Sequence, residues 1–318
     1  MKKLSINYAL TILLFCLTLT SCMDDDDSST PIPADSFSSL SDFVESQKPE
    51  AQTFTIDPTS DQVITGEDGV VIEIDAGAFT DENDDPITTP ITVELKEYLD
   101  LKSMFEGNIQ TVSNGQLLVT GGNFDLRFKD ESGNEVNANP WSIHSKIPVA
   151  TDISGYENSM QYYIGETTTV DGREVVNWNL GQAESWIEDG IFNILGVQQG
   201  LSNCDALYDM AEENPTQFEV TVSGVTDYNQ TTVWMFVEDF PSIINIYSLN
   251  DSMDALTTYE NSIPVGLNAT LLAITIDENN YLKFGSLPIT VAGDDTFNVN
   301  VAYGTTEDLS LLIDNILN

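Results

Sequence analysis

Few side chains in this sequence are of the types that carry chemistry. His144 is the only histidine among 318 residues, and the cysteines are Cys16, Cys22 and Cys204. A serine–histidine–aspartate triad would have to use His144, and no Gly-x-Ser-x-Gly segment presents a serine to it. One histidine with one internal thiol does not supply the usual ligands of zinc. The sequence therefore points away from triad hydrolases and zinc enzymes, and a Cys204–His144 nucleophile pair stays open as a minor alternative.

Carboxylates are the chemical groups in excess. The chain has 52 Asp and Glu against 10 Lys and Arg, which gives a net charge of −42. Nucleic acid is excluded as a partner, because its binding requires basic residues that neutralise phosphates. A glycosidase needs two carboxyl groups across a cleft, and the pairs Glu94–Glu97 and Asp205–Glu212 leave that alternative open. Solubility is the simpler explanation of the acidity. Cation binding is the more specific, functional explanation.

One acidic loop, residues 81–85, offers oxygen ligands at alternating positions: Asp81, Asn83 and Asp85. An EF-hand loop begins with the same spacing. Its sixth position would be glycine and its twelfth glutamate, but Pro86 and Thr92 stand there. The sequence thus predicts either a looser, weak calcium site or an acidic hairpin turn. It indicates no other cofactor.

Tryptophans at the surface are candidates for glycan contacts, because a flat aromatic ring can stack on the face of a sugar. The candidates are Trp141, Trp178, Trp186 and Trp234. Trp178 and Trp234 lie in apolar or strand-like segments and are predicted to be buried. Trp186 lies in Glu184-Ser185-Trp186-Ile187-Glu188 and is the one we expect at the surface.

The segment Asp251-Ser252-Met253 resembles a three-residue O-glycosylation motif of Bacteroidetes, which makes Ser252 a candidate for modification.

The first 21 residues have the pattern of a secretion signal. Two lysines are followed by an apolar stretch over residues 8–19, which is shorter than the roughly 20 residues of a membrane-spanning helix. The segment Leu19-Thr20-Ser21-Cys22 resembles the bacterial lipobox. The resemblance implies cleavage between Ser21 and Cys22, acylation of Cys22, and anchoring of the mature chain to a membrane. An uncleaved anchor, or cleavage that leaves a free thiol, is the alternative.

An acidic run, Asp24, Asp25, Asp26 and Asp27, follows the cysteine. It resembles the surface-export signal of Bacteroidetes lipoproteins, which implies display on the outer face of the outer membrane, with a periplasmic location as the alternative. Residues 22–52 are rich in Asp, Ser and Pro and are predicted to form a flexible tether. Within the tether, apolar residues at 37, 40, 43 and 44 could form a short helix.

The rest of the chain is predicted to be mostly β. Apolar and polar residues alternate with period two in residues 91–96, 124–128, 218–222 and 297–301, and Asp-, Asn- and Gly-rich turns separate such runs. Short strands spaced by turns are typical of sandwiches. Residues 305–317 predict a C-terminal helix capped by Thr305. We therefore predict two tandem β-sandwich-like domains, over residues 53–149 and 150–318, with a short helix at the end of the second.

Short segments of the first predicted domain carry a resemblance. They are Ile64-Thr65-Gly66, Gly69-Val70-Val71-Ile72-Glu73-Ile74, Ala76-Gly77-Ala78-Phe79 and Pro90-Ile91-Thr92-Val93-Glu94-Leu95. Together they resemble the ZU-five domain, a β-sandwich shared by ankyrins and netrin receptors. Further segments, from Thr111-Val112-Ser113-Asn114-Gly115 to Ile263-Pro264-Val265-Gly266, resemble a group of Bacteroidetes surface lipoproteins built on that domain. The resemblance implies a fold and a location, not an activity.

Three functional hypotheses follow. The first is a lipid-anchored, non-catalytic binding or scaffold module at the cell surface, with an outer-membrane protein as its partner. The second is a surface glycan-binding protein that uses Trp186. The third is a hydrolase with two carboxylates, which would need a cleft where apolar walls raise the pKa of one carboxyl group. We favour the first hypothesis and expect no catalytic residue.

Overall fold

The computed structural model describes residues 34–318, apart from residues 150, 171, 211–213, 226 and 294. The predicted signal peptide, Cys22 and the run from Asp24 to Asp27 lie outside the described residues, as does Glu212. Among the described residues, no helix combines the length and the apolar character that a membrane span requires.

The described chain is mostly β, which confirms the predicted fold class. The strands up to residue 207 are β1 (Gln52–Ile56), β2 (Gln62–Thr65), β3 (Val71–Ile74), β4 (Phe79–Thr80), β5 (Ile91–Tyr98), β6 (Val112–Ser113), β7 (Gln116–Lys129), β8 (Asn137–Ala138), β9 (Ile143–Pro148), β10 (Gln161–Val170), β11 (Arg173–Leu180), β12 (Glu184–Glu188), β13 (Ile191–Leu195) and β14 (Gly200–Leu207). The strands after it are β15 (Pro215–Thr216), β16 (Glu219–Val222), β17 (Thr231–Val237), β18 (Ile243–Ile246), β19 (Ser248–Leu249), β20 (Leu256–Thr257), β21 (Ile263–Pro264), β22 (Asn268–Ile276), β23 (Leu282–Thr290), β24 (Thr296–Val299) and β25 (Ala302–Tyr303). The helices are α1 (Leu40–Gln47), α2 (Leu101–Glu106) and α3 (Thr306–Leu317), with 3-10 turns at Pro140–Ser142 and Tyr228–Gln230.

Two antiparallel sheets form the first sandwich. The large sheet has the order β1-β5-β7-β14-β10-β11, and the small sheet has the order β12-β13-β9-β3-β2. Their facing side chains share one apolar core, to which Ile72 of the small sheet and Val93 and Phe128 of the large sheet belong. The period-two alternation seen in the sequence places these residues inside, because successive side chains of a strand point to opposite faces.

The sandwich extends beyond the domain boundary predicted near residue 150. Strand β14 pairs with β7, and β13 pairs with β9, so strands from residues 161–207 complete both sheets. The boundary therefore needs correction, and the reason is physical. A sandwich that ended at residue 149 would leave β7 and β9 as open edges, and an unpaired edge exposes a row of backbone hydrogen-bonding groups.

The remaining strands form a second β-rich region. A five-stranded sheet has the order β18-β17-β22-β23-β25, and a four-stranded sheet has the order β19-β20-β16-β24. The predicted C-terminal helix is present as α3, and the Thr305 hydroxyl accepts a hydrogen bond from the Asp308 amide at 3.1 Å. A second apolar cluster joins the outer side of the large sheet to the helices and the five-stranded sheet through Tyr98, Trp178, Trp234 and Ile313. The described chain is thus one compact unit.

The fold begins earlier than the predicted tether allows. The Asp35 amide donates to the Gly304 carbonyl at 3.2 Å, and the Asp35 carboxylate accepts from the Thr306 amide at 2.7 Å. Helix α1 buries Leu40 and Phe43 in the second apolar cluster. Residues three apart lie on one face of a helix, so these two side chains give the segment a docking face. Residues 34–52 are therefore part of the packed protein and not of a tether.

The turn between β2 and β3 is built around a buried carboxylate. Glu97 accepts hydrogen bonds from the amides of Asp68 and Val70 at 2.9 and 2.7 Å, and from the Gln52 side chain at 2.7 Å. A Cβ on Gly66 would overlap the Glu97 carboxylate, so only glycine allows this approach. Gly66 and Val70, which belong to two of the ZU-five-like segments, thus have a structural explanation.

Candidate binding surface

The outer face of the small sheet is where the structure places Trp186. Two rows of side chains cross this face in register, and strands β2, β3, β9, β13 and β12 each contribute one residue to each row. The first row consists of Val63, Glu73, His144, Leu195 and Glu184. The second row consists of Thr65, Val71, Lys146, Asn193 and Trp186. Because side chains alternate along each strand, both rows point away from the core.

Trp186 lies at the edge of this face with 42% of its surface exposed, which confirms the predicted exposure. Its ring is tilted by 31° against the His144 ring, and the ring centroids are 5.8 Å apart. Trp178 and Trp234 are buried, also as predicted. Trp186 is thus an aromatic surface on an edge strand, supported from one side by a histidine.

Trp141 is more exposed than Trp186, at 53%, although only Trp186 was expected at the surface. It lies in the 3-10 turn before β9, where the Asn139 side chain accepts a hydrogen bond from the Trp141 amide at 3.3 Å. Its ring lies against Gly196, at the end of the small sheet where β13 finishes. The Asn139-Pro140 pair, a turn signal just before the tryptophan, was the feature that could have indicated its exposure.

Polar groups surround the centre of the small-sheet face. The Glu73 carboxylate is hydrogen-bonded to the Lys146 ammonium and, at 3.0 Å, to Nδ1 of His144. The hydrogen bond from Lys146 lowers the pKa of Glu73 below its usual range. Nε2 of His144 is buried and has no hydrogen-bond partner among the described residues. The face therefore presents a fixed carboxylate and an ammonium near an exposed ring, and such groups can bind hydroxyl groups.

The acidic loop at residues 81–85 forms a tight turn. Oδ1 of Asp81 accepts hydrogen bonds from the amides of Asn83 and Asp85 at 2.8 and 3.0 Å, and these bonds lower the pKa of Asp81. Asp84 at the tip has a positive φ of 63°. In the described chain, no three His, Cys, Asp or Glu side chains gather as they would around a metal ion. Weak calcium binding through Asp81, Asn83 and Asp85 stays a prediction.

The carboxylate pair Glu94–Glu97 considered for a hydrolase is not brought together. Glu97 points into the sandwich and accepts the hydrogen bonds of the β2–β3 turn. Glu94 lies an odd number of residues away on β5, so it points to the other face, where it pairs with Lys129 at 2.7 Å. The two carboxyl groups therefore cannot flank one substrate bond.

Cys204 and His144, the pair considered for nucleophilic catalysis, also lie far apart in environment. Cys204 is fully buried in the sandwich core, where burial raises the pKa of its thiol, whereas His144 is on the outer face of the small sheet. The Cys204–His144 pair is therefore absent, and Cys204 packs as a small apolar residue of the core. Asp205 is completely buried on β14, and burial raises its pKa well above the usual range. Ser252 lies exposed in a turn, where its glycosylation stays a prediction.

No family model matches the chain, and no curated protein matches it. The likeness to ZU-five lipoproteins therefore rests on the sequence segments alone.

Proposed function

We propose that this protein is a lipid-anchored binding protein of the bacterial outer membrane, displayed at the cell surface, that holds a glycan on the small-sheet face. The lipobox-like segment at Cys22 and the acidic run from Asp24 to Asp27 support the anchor and the display. The observation that supports glycan binding is the exposed ring of Trp186, which lies beside the hydrogen-bonded group of Glu73, His144 and Lys146.

The chemistry of this face suits a sugar. The flat Trp186 ring offers a surface for the C–H face of a pyranose, and the nearby polar atoms offer donors and acceptors for its hydroxyl groups. These groups stand on strands of a packed sheet, so little conformational entropy is lost when a ligand binds. The proposed role is binding without catalysis, because the Glu73 carboxylate is engaged by Lys146 and His144 and lies on an open surface.

A protein partner in the outer membrane is the second candidate. The observation that favours it is Val63, which is 65% exposed on β2, an edge strand of the small sheet. An exposed edge with apolar side chains is a surface on which another chain can add a strand. Crosslinking on intact cells distinguishes the two candidates, because this second role requires one outer-membrane protein to be recovered in stoichiometric amount.

The glycan proposal is tested by affinity gel electrophoresis of the full-length protein in detergent, with laminarin, xylan and mannan as probes. We expect at least one polysaccharide to retard the protein and Trp186→Ala to abolish the retardation. The matched control is Tyr281→Ala, which removes an exposed aromatic ring outside the small sheet, between β22 and β23. Migration unaffected by all three probes, or unchanged retardation of the Trp186 variant, would contradict the proposal.

A further inference from the structure

A groove lies on the outer side of the large sheet, across the sandwich from the Trp186 face. Its volume is about 430 Å³, within the range of small-molecule sites. Strands β5 and β7 form its floor, and α1 and β11 contribute to its walls through Glu45 and Glu174. Ile109, Val176 and Leu201 provide an apolar part of the lining.

The groove gathers basic residues, which are scarce in this protein, and five carboxylates line it as well: Glu45, Glu94, Asp125, Glu135 and Glu174. Only eight Lys and Arg residues follow the predicted leader. Half of them line this groove: Lys48, Lys96, Arg127 and Lys129. Since basic residues are so scarce in a chain with a net charge of −42, their collection in one groove calls for a physical role.

Three of the four cations are already neutralised by carboxylates. Lys129 contacts both oxygens of Glu94 at 2.7 Å. Arg127 binds Asp125 and Glu135, each at 3.1 Å. Lys48 binds Glu45 at 3.0 Å and Glu174 at 2.7 Å.

Lys96 is the exception. It lies on β5 in a half-buried position and forms no ion pair or hydrogen bond with any described residue. Its direct cross-strand neighbour is Asp125, whose Oδ2 is taken by Arg127. The Lys96 ammonium is therefore the one cation of the lining that no described carboxylate pairs with, and a ligand anion can form a charge-assisted contact with it.

We infer that this groove binds a sugar acid, a hydroxylated monocarboxylate of about one or two sugar rings, with its carboxylate on Lys96. A single negative charge fits because Lys96 is the one unpaired cation of the groove lining, while Glu94, Glu135 and Glu174 repel a second anionic group. The same carboxylates accept hydrogen bonds from hydroxyl groups. The apolar residues of the lining can cover the C–H face of the ring. This site is separate from the Trp186 face and does not depend on the function proposed for it.

The test is isothermal titration of the full-length protein in detergent with D-glucuronate and D-galacturonate, compared with the neutral sugars D-glucose and D-galactose. We expect a uronate to bind and the matched neutral sugar to bind at least tenfold more weakly. Lys96→Met should weaken uronate binding by roughly tenfold or more, because it removes a charge-assisted contact. Lys96→Arg should retain most of the affinity, because it keeps the positive charge.

Two controls make the outcome specific. Lys102→Met removes a lysine that pairs with Asp314 and does not line the groove, and it should leave binding unchanged. Trp186→Ala should also leave it unchanged, which separates this site from the glycan face. The inference is overturned if neither uronate binds, if the neutral sugar binds equally well, if inorganic sulfate displaces the uronate at equal concentration, or if the folded Lys96→Met protein binds as the wild type does.

Discussion

Lys96 and Asp125 face each other directly across β5 and β7, yet the Asp125 carboxylate pairs with Arg127 on its own strand, at 3.1 Å. The Asp125 side chain is only 16% exposed, and its Oδ1 has no hydrogen-bond partner among the described residues. Arg127 is therefore the residue that compensates a largely buried carboxylate. Lys96 is left over, although it is the nearest cation by strand register.

This relationship predicts unequal stability effects for two basic residues of one groove. Arg127→Met should lower the free energy of unfolding by about 1–3 kcal/mol, because Asp125 would stay buried without its counter-ion. Lys96→Met should change it by no more than about 0.5 kcal/mol, because no contact is lost. Urea unfolding of both variants measures the difference. Equal losses in the two proteins would show that Lys96 has a stabilising partner after all.

Burial of Asp205 predicts a pH dependence of stability. Its pKa is raised in the folded protein by burial, whereas in the unfolded chain it is roughly 3.9. As the pH rises above about 4, the unfolded chain releases this proton and the folded chain keeps it. Asp205 therefore lowers the stability by about 1.4 kcal/mol per pH unit until the folded pKa is reached.

The substitution Asp205→Asn should remove this pH dependence. We expect the variant to gain stability relative to the wild type between pH 4.5 and pH 8, as measured by urea unfolding at both values. Asp251→Asn, in an exposed turn, is the control for the loss of one charge. Identical pH profiles for the wild type and Asp205→Asn would mean that the buried group ionises in the folded state without cost.

The packing of α1 predicts that residues before β1 contribute to global stability. Phe43 is 2% exposed and contacts Phe37 edge-to-face at 5.3 Å between ring centroids. Phe43→Ala should therefore cost about 3–5 kcal/mol, a value typical of a large side chain removed from a core. Ser41→Ala, on the exposed side of the same helix, should cost little. Thermal unfolding of the two variants tests this prediction. If residues 34–52 were a flexible tether, the two variants would have the same unfolding temperature.

The proposed anchor predicts the location of one substituted protein. Cys22→Ala should leave the polypeptide unlabelled by radioactive palmitate and move it out of the membrane fraction, because the acyl chains provide the attachment. Cys204→Ala keeps the proposed lipid site and should remain labelled and membrane-bound. Protease treatment of intact cells then tests surface display. Replacement of Asp24 to Asp27 by alanine should protect the labelled protein from the protease.

Much of the fold could be predicted because its signals are local. Period-two alternation determines that Val93 and Phe128 face a core, whichever strands lie beside them. The helix α3 follows from a cap at Thr305 and an apolar face in the residues after it. The burial of Trp178 and Trp234 follows from the apolar or strand-like segments that contain them. The exposure of Trp186 was likewise predicted from its flanking charges.

The tertiary structure alone decided what depends on partners distant in sequence. The first sandwich continues to residue 207 because β13 and β14 complete two sheets, and strand order is not encoded in any one strand. Helix α1 docks because the second apolar cluster offers it a surface, which the composition of residues 22–52 does not reveal. Lys96 lacks a partner because the carboxylate opposite it, Asp125, is paired with Arg127. The sequence determined which residues face inward or outward, since that depends on periodicity. Which charged side chains form ion pairs, and which strands pair at their edges, was decided only by the assembled sheets.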